Sequence, residues 1–414
     1  MFSKKNYVYL KDKRFPRLIV VKTKQFNKST RLTTETWPMR NNYHSDNLLY
    51  VKIMLMLFGL NMFPVSGCWR LLNYLLVFSS IVSQLYQFFW SIVLFAYSDD
   101  PINSVLWTFQ AIYAFAIRFI LIHRAKRIHS ALVIMTNMVP FGENKFRLWS
   151  IICLLLTLST MLFDFLRLVI WFIWGPNEEL IDLYTSILTD FDVNLPLPVA
   201  AFTDFWTYCY ATIGCLIVSK SFYLFTFHLA SECYQSLYSF CQETASDPKR
   251  IRYISLMYHK VYNLKDELNE ALSSLPFFWY SQIFFETTSQ IVRNTKDIPS
   301  LDWSKVFFRW GSYLNLLIIT IYITYQVDRF TIKEMSLVGK MIQLLTDTRP
   351  VNEFKSRTYA VDKSILVNQL IQTPTIIPSA WSSFNIDRTL IVSFFGAVVP
   401  FSVMCLEFQQ IINR

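Results

Sequence analysis

Long apolar segments alternate with shorter polar ones along most of this 414-residue chain. An α-helix rises about 1.5 Å per residue, so about 20 apolar residues cross the roughly 30 Å of hydrocarbon in a bilayer. The pattern predicts seven such spans, at 71–97, 102–122, 148–174, 205–229, 273–292, 306–327 and 389–406. The shorter apolar stretch 48–63 contains Lys52 and predicts an interfacial or re-entrant helix.

The charged residues indicate how these spans are oriented. Residues 1–46 contain eleven Lys and Arg against three acidic residues, whereas 175–204 contains six acidic residues and no basic one. Cytoplasmic segments of membrane proteins carry an excess of basic residues. We therefore predict a multi-pass protein of the plasma membrane, with a cytoplasmic N-terminus and an extracellular C-terminus. The net charge of +10 reflects this one-sided distribution, and no nucleic-acid partner is expected.

Two polar stretches with interleaved apolar residues, 231–271 and 328–381, predict amphipathic helices in the cytoplasm. Their apolar faces need a partner other than lipid, so we expect the main subunit contact there, with Leu344 and Leu370 in it. The predicted class is an all-α membrane protein with a helical cytoplasmic layer. Its parts are a cytoplasmic tail (1–46), a bundle of six spans with the interfacial helix and cytoplasmic extensions (47–327), cytoplasmic assembly helices (328–384), and the last span with a short extracellular tail (385–414).

The last span carries a stripe of small or polar residues that ends in a carboxylate. Steps of three and four residues place its members on one helix face: Thr389, Ser393, Gly396, Pro400, Val403 and Glu407. Small residues at this spacing allow close helix packing, and the same stripe is also suited to lining a water-filled path between subunits. Asn385 is the predicted N-cap of this helix, with Asp387 in its first turn.

The end of this span resembles the insect gustatory receptors. Their seventh helix ends in Thr-Tyr, five apolar residues and Gln-Phe, and here Pro400-Phe401 and Glu407-Phe408 stand at the same spacing. The runs 387–390 (Asp-Arg-Thr-Leu) and 396–398 (Gly-Ala-Val) are also similar to the family. Proline replaces the threonine of the motif, phenylalanine its tyrosine, and glutamate its glutamine.

The resemblance implies a homotetrameric, ligand-gated, non-selective cation channel with a chemosensory role in taste. Four copies of the last span would surround a pore, with a ring of Glu407 carboxylates and an apolar constriction at Phe408 or Met404. The alternative is that Glu407 lies at the outer headgroup level and has no role in conduction. The implied pore and gate residues are Gly396, Pro400, Val403, Met404, Glu407 and Phe408.

Ionisable residues inside spans are unfavourable in lipid and mark functional sites or buried pairs. Asp164 and Arg167 are one turn apart in the third span, Glu286 is in the fifth, and Arg309 is in the sixth. Aromatic and amide residues at the same outer depth predict a pocket for a small amphipathic ligand, although aromatic residues also form interfacial belts. Those candidates are Trp107, Gln110, Trp171, Trp206, Tyr210, Gln290, Trp310 and Tyr313.

Motifs of soluble enzymes do not occur in the sequence. There is no Walker sequence, HExxH, GxSxG or CxxC, so we expect no enzyme activity, cofactor or metal. The expected partners are a small-molecule ligand, membrane lipid and further copies of the chain. A seven-span G-protein-coupled-type receptor and a secondary transporter remain as alternatives. Asp328-Arg329-Phe330 is similar to a motif of the former, but we interpret it as a charged helix end because it closes the sixth span.

Overall fold

The computed structural model describes residues 48–60, 67–97, 101–138, 143–174, 185–186, 189–190, 196–297, 303–347, 356–373, 375–380 and 383–412. Some side chains within these ranges are not described. Nearly all of the described backbone is helical, so the predicted all-α class is confirmed. The predicted cytoplasmic tail, 1–46, lies outside the described residues.

The helices are numbered in chain order. The first six are α1 (Leu49–Leu57), α2 (Cys68–Tyr97), α3 (Pro101–His123), α4 (Ala125–Asn137), α5 (Glu143–Trp174) and α6 (Leu197–Thr207). A π-helical segment, Tyr208–Ile213, joins α6 directly to α7 (Gly214–Thr244). The remaining helices are α8 (Pro248–Leu272), α9 (Ser274–Asp297), α10 (Trp303–Asp347), α11 (Ser356–Gln372) and α12 (Arg388–Ile412). Before α12, the antiparallel strands β1 (Ser379–Ala380) and β2 (Phe384–Asn385) form a small hairpin.

Six of the predicted spans fall within α2, α3, α5, the continuous α6–α7, α10 and α12, and the fifth, 273–292, begins one residue before α9. Three stretches are long and apolar enough to cross a membrane, namely Trp69–Tyr97, Phe202–Thr244 and Arg388–Glu407. Two shorter apolar helices are Thr108–His123 and Leu148–Phe163. These findings concern the described residues and rest on length and composition.

The helix that contains the fourth predicted span begins earlier than the sequence suggested. We expected residue 204 in an acidic loop, but Asp204 lies inside α6 and is almost fully buried. Its Oδ1 and its backbone carbonyl both accept hydrogen bonds from Gln87 Nε2 of α2, each at 3.0 Å. A carboxylate can be buried when a neighbouring helix supplies a hydrogen-bond donor. Asp204 therefore lies within α6 and does not end it.

The helix α7 lies at the centre of the bundle. Every residue from Gly214 to Ser231 is buried, and α7 contacts α3, α4, α5, α8 and α10. A helix that is covered all round belongs to the core, whereas α2 leaves large apolar side chains such as Phe78, Leu85 and Phe89 exposed. Exposed apolar faces of this kind fit a lipid environment.

The short helix α1 packs inside the bundle. Val51, Met54 and Leu55 have no exposed surface, and α1 contacts α2, α5 and α7. The helix ends in a Schellman motif, in which the Leu60 amide donates to the Leu55 carbonyl and the Gly59 amide to the Met56 carbonyl, each at 2.9 Å. Gly59 has φ +66°, which favours glycine. The helix is therefore part of the core, and the choice between an interfacial and a re-entrant helix stays a prediction.

The helices α8, α10 and α11 pack with the C-terminal part of α7, and their buried residues continue the same core. Lys265 of α8 and Glu334 of α10 make an ion pair there, with each side chain only 2% exposed. Leu370 of α11 is buried in the same core and Leu344 is half-buried against it. The expectation that Leu370 lies at a subunit contact was therefore wrong, because its apolar face is covered within one chain.

Gly214→Ala should lower the unfolding temperature of the purified protein. A Cβ atom at position 214 would lie 2.5 Å from Phe58 Cε1, and the Phe58 ring is stacked on Tyr210 at 5.7 Å. We expect a loss of about 1–3 kcal/mol, the usual effect of overpacking a core.

Gly339→Ala is the matched control. No described atom lies within 4 Å of a Cβ at position 339, so this exchange gains helix propensity of up to about 1 kcal/mol. Thermal unfolding in detergent measures both variants, and equal unfolding temperatures would contradict this account of the packing at Gly214.

Candidate functional site

The π-helical segment directs two tyrosines into the bundle. A π-turn widens the helix by one residue, and such turns are frequent at functional sites. The Tyr208 hydroxyl donates to Gln110 Oε1 of α3 at 2.6 Å. The Tyr210 hydroxyl donates to the Leu57 carbonyl at the end of α1 at 2.9 Å. The segment therefore joins α6–α7 to two different neighbours within a single turn.

A buried polar cluster lies between α3, α9, α10 and the π-segment, and we call it the Gln110–Glu286 cluster. Gln110 Nε2 donates to Glu286 Oε1, and Gln110 Oε1 accepts from Tyr208. One residue further along α9, the hydroxyl of Thr287 is 2.6 Å from that of Tyr313 on α10. Gln110, Glu286, Thr287 and Tyr313 are all buried. Polar groups of this kind, each with a partner, fix the relative position of four elements and can also recognise a polar group of a ligand.

The polar cluster borders the apolar packing of α12. Tyr313 belongs to the same buried apolar cluster as Ile283 of α9 and Phe394 and Val398 of α12. The Phe394 ring itself lies against Tyr280 and Phe284 of α9, at centroid distances of 6.0 Å and 6.2 Å. The polar cluster and the last helix therefore share one packed region.

The predicted ligand residues fall into three groups. Glu286 and Tyr313 belong to the cluster, and Gln290 lies one helical turn from Glu286 and is half-buried. Trp206 and Tyr210 do not join it. Trp206 is 52% exposed on the outer face of α6 and packs edge-on against Phe165, whereas Tyr210 is turned towards α1. The remaining candidates have side chains outside the described residues: Trp107, Asp164, Arg167, Trp171, Arg309 and Trp310.

Sequence reasoning missed Tyr208 and Thr287. Each stands next to a residue that was noticed, Tyr208 two positions before Tyr210 and Thr287 beside Glu286. Their roles depend on partners on other helices, which spacing along the chain does not reveal.

A second feature that the sequence analysis missed is a cavity beside Lys220 of α7. The cavity has a volume of about 10 Å³, and the Lys220 side chain is fully buried. A lysine in the middle of a predicted span is a recognisable signal of a special site. The cavity is lined by Lys220, Tyr223, Pro276, Trp279, Tyr280, Thr320, Ile323, Thr324 and Ile386.

The stripe on α12 is exposed along its whole length. The opposite face of the helix packs into the bundle through Phe394, Val398 and Ser402, which are buried. Every member of the stripe, from Thr389 to Glu407, is exposed, and so is Met404. The small residues therefore do not serve close packing within this chain. The Phe408 side chain lies outside the described residues.

The N-terminal end of α12 is fixed to α10. Arg388 Nε is 2.6 Å from Asp328 Oδ2, and the Arg388 guanidinium lies 4.7 Å from the centre of the Tyr325 ring. Asp387 Oδ1 accepts hydrogen bonds from the amides of Thr389 (2.9 Å) and Leu390 (3.1 Å). Asp387 is therefore the N-cap, and the expected cap, Asn385, instead pairs with Ser379 in the hairpin. The interpretation of Asp328 as a charged helix end was wrong, because α10 continues to Asp347 and Asp328 instead holds the start of α12.

Comparison with known proteins bears on the fold. No protein-family model matches the chain, and no curated protein matches its sequence. Among solved structures, the insect olfactory receptor OR5 from Machilis hrabei matches with a TM-score of 0.62 and 11% identity over 87% of this chain and 97% of that one. This chain has the fold of an insect olfactory receptor. The same receptor in complex with eugenol matches with a TM-score of 0.65, at the same identity and coverage. A match at this identity shows the fold alone, and the two alternative protein classes gain no support from it.

Glu286→Leu should destabilise the protein more than Glu286→Gln. A glutamine at 286 retains an oxygen that accepts from Gln110 Nε2, whereas leucine leaves that amide buried without its acceptor. We expect the leucine variant to lose about 1–2 kcal/mol and the glutamine variant to stay near the original stability. Thermal unfolding measures the difference, and indistinguishable curves would mean that this hydrogen bond adds no stability.

Asp328→Asn and Arg388→Gln should each lower stability, and their effects should be non-additive. The half-exposed arginine limits the coupling energy to about 0.5–1.5 kcal/mol in a double-mutant cycle. The exposed pair Arg250–Asp247, whose atoms are 3.3 Å apart, is the matched control and should show almost no coupling. Additive effects at Asp328 and Arg388 would show that the ion pair does not hold α12.

Proposed function

We propose that the chain is a subunit of a chemosensory receptor that works as a ligand-gated, non-selective cation channel. Four copies would assemble with their α12 helices around a common pore. The observation that carries the proposal is the exposed stripe of small and polar residues on α12, in a chain with the fold of an insect olfactory receptor. A helix stripe of this kind needs water or another copy beside it, because lipid offers its polar groups no partner.

Pro400 supports a polar environment for the stripe. Proline has no amide hydrogen, so the Gly396 carbonyl four residues earlier lacks its usual helical donor. Both residues are exposed on the stripe. A carbonyl in this position is stable beside water in a pore and unfavourable beside hydrocarbon.

Glu407 is the proposed source of cation attraction. Its side chain is exposed near the end of the apolar part of α12. A ring of carboxylates attracts cations, and apolar side chains such as Met404 and Phe408 can close a pore by excluding water. Glutamine at 407 would keep the size of the side chain but carry neither the negative charge nor a carboxylate that can bind a proton.

The proposed ligand is a small amphipathic molecule. One of the matching structures contains a compound of that size, eugenol, bound to its own receptor. In this chain the Gln110–Glu286 cluster offers buried polar groups. Tyr313 shares a buried apolar cluster with Phe394 and Val398 of α12, and this shared packing is the proposed route from ligand to pore. The gustatory type is proposed from the spacing of Pro400-Phe401 and Glu407-Phe408, which resembles that family.

The proposed topology has seven spans in the plasma membrane with the N-terminus in the cytoplasm. It rests on the basic residues of 1–46, the acidic residues of 175–204, and the lipid-compatible faces of helices such as α2. An N-terminal epitope tag should be stained only after the cells are permeabilised. Staining on intact cells would contradict this orientation.

Glu407→Gln should lower the permeability of divalent relative to monovalent cations and weaken the dependence of the current on external pH. The test is whole-cell recording from cells expressing the full chain, with sugars, bitter compounds and small phenols as agonists. Glu243→Gln, at an exposed carboxylate near the end of α7, is the control and should leave both properties unchanged.

The outcomes separate the parts of the proposal. A conducting Glu407→Gln channel with unchanged selectivity and pH dependence would remove Glu407 from the pore. A chain that reaches the cell surface and gives no current with any agonist class would contradict the channel function itself.

A further inference from the structure

Lys220 and Tyr223 of α7 are two buried donors that lack partners. They stand three residues apart on α7, so they lie on the same face of the helix. The Lys220 Nζ atom and the Tyr223 hydroxyl are both fully buried, and neither has a hydrogen-bond partner in the described part of the chain. Nearly all buried polar groups in proteins have a partner, and an unpaired buried charge is especially unfavourable.

Both residues line the same cavity, and the other polar groups on its wall are already paired. The Trp279 indole donates to Ser219 Oγ at 3.0 Å, and the Tyr280 hydroxyl is bonded to that of Thr324. Thr320 donates to the Leu316 carbonyl at 2.8 Å. The two groups without a partner are an amine and a phenol that can both donate, so an acceptor placed between them inside the cavity would satisfy both.

No carboxylate among the described residues makes an ion pair with Lys220. Glu286 is near enough to act on the amine electrostatically, but it is engaged by Gln110 and does not line the cavity. A negative charge inside the cavity would satisfy Lys220 more fully than a distant one, because Coulomb attraction in a low-dielectric interior rises steeply at contact.

The size of the cavity limits what can enter it. The cavity volume of about 10 Å³ is enough for a water molecule, a halide ion or one small carboxylate group. Water would supply one acceptor without a charge. A compact anion supplies both a hydrogen-bond acceptor and a negative charge beside the Lys220 amine.

We propose that Lys220 and Tyr223 form a binding site for a compact monovalent anion, either a halide or the carboxylate of a small acid. Lys220 provides the charge, Tyr223 donates a second hydrogen bond, and Trp279 and Tyr280 enclose the ion. The site joins α7, α9 and α10 to Ile386, which lies two residues before α12, so an occupied site stabilises the packing of these elements. It does not depend on the channel proposal.

The test is thermal unfolding of the purified full chain in detergent at constant pH and ionic strength. Sodium chloride, sodium formate and sodium gluconate are compared, because gluconate is too large for the cavity. Binding to the folded state alone raises the unfolding temperature, and we expect chloride or formate to exceed gluconate by about 2 °C or more.

Lys220→Met should abolish this difference, and Tyr223→Phe should raise the anion concentration needed for half of the effect by severalfold. Lys333→Met is the matched control, since Lys333 already has a carboxylate partner, Glu232, at 3.1 Å. It should retain the full anion dependence, which separates binding at Lys220 from general salt effects.

An effect of chloride alone identifies a halide site, and an effect of formate alone identifies a carboxylate site. Equal unfolding temperatures in all three salts would overturn the proposal, as would a Lys220→Met variant with unchanged anion dependence. If Lys220→Met does not fold, Tyr223→Phe decides, because an unchanged half-effect concentration in that variant also contradicts the site. None of these readouts requires ion conduction.

Discussion

The burial of α7 on every side is the constraint on which the rest of the structure depends. Its backbone is satisfied within the helix, but each polar side chain on it must find a partner on a neighbouring helix. Ser221 bonds Thr157 of α5 at 2.9 Å, and Ser219 accepts from Trp279 of α9. Gly214 has no side chain, and that absence lets the Phe58 ring approach. The neighbours of α7 are therefore positioned by specific contacts as well as by apolar packing, whereas Lys220 and Tyr223 make no such hydrogen bond in the described part of the chain.

The sequence predicts the long apolar helices well because an apolar run is a local property. The same reasoning fails at Asp204, since the acidic residue suggested a loop but Gln87, more than one hundred residues earlier, supplies its hydrogen bonds. Gln110 and Glu286 were each recognisable as unusual polar residues within spans. That they bind each other is a property of the packed bundle and depends on how α3 and α9 are placed.

A similar distinction holds for the faces of single helices. The stripe on α12 was predictable because all of its members belong to one helix, and the structure adds that the opposite face is the buried one. The apolar face of α11 was equally visible in the sequence, but periodicity does not say which surface covers it. Leu370 is covered by the core of its own chain, so the outer apolar residues Val361, Ile365 and Ile371 are what α11 leaves exposed.

The length of α10 has a mechanical consequence. Its 45 residues form one continuous helix of about 68 Å, and Asp328 stands at an intermediate position where it holds Arg388. The helix extends about 38 Å from Trp303 to this contact and about 28 Å beyond it to Asp347. A rigid rod held at such a pivot works as a lever with two unequal arms. A tilt of about 5° would displace the two ends by roughly 3 Å and 2 Å in opposite directions. A small movement of α10 near Tyr313 would therefore also displace its other end, in the layer formed by α8 and α11.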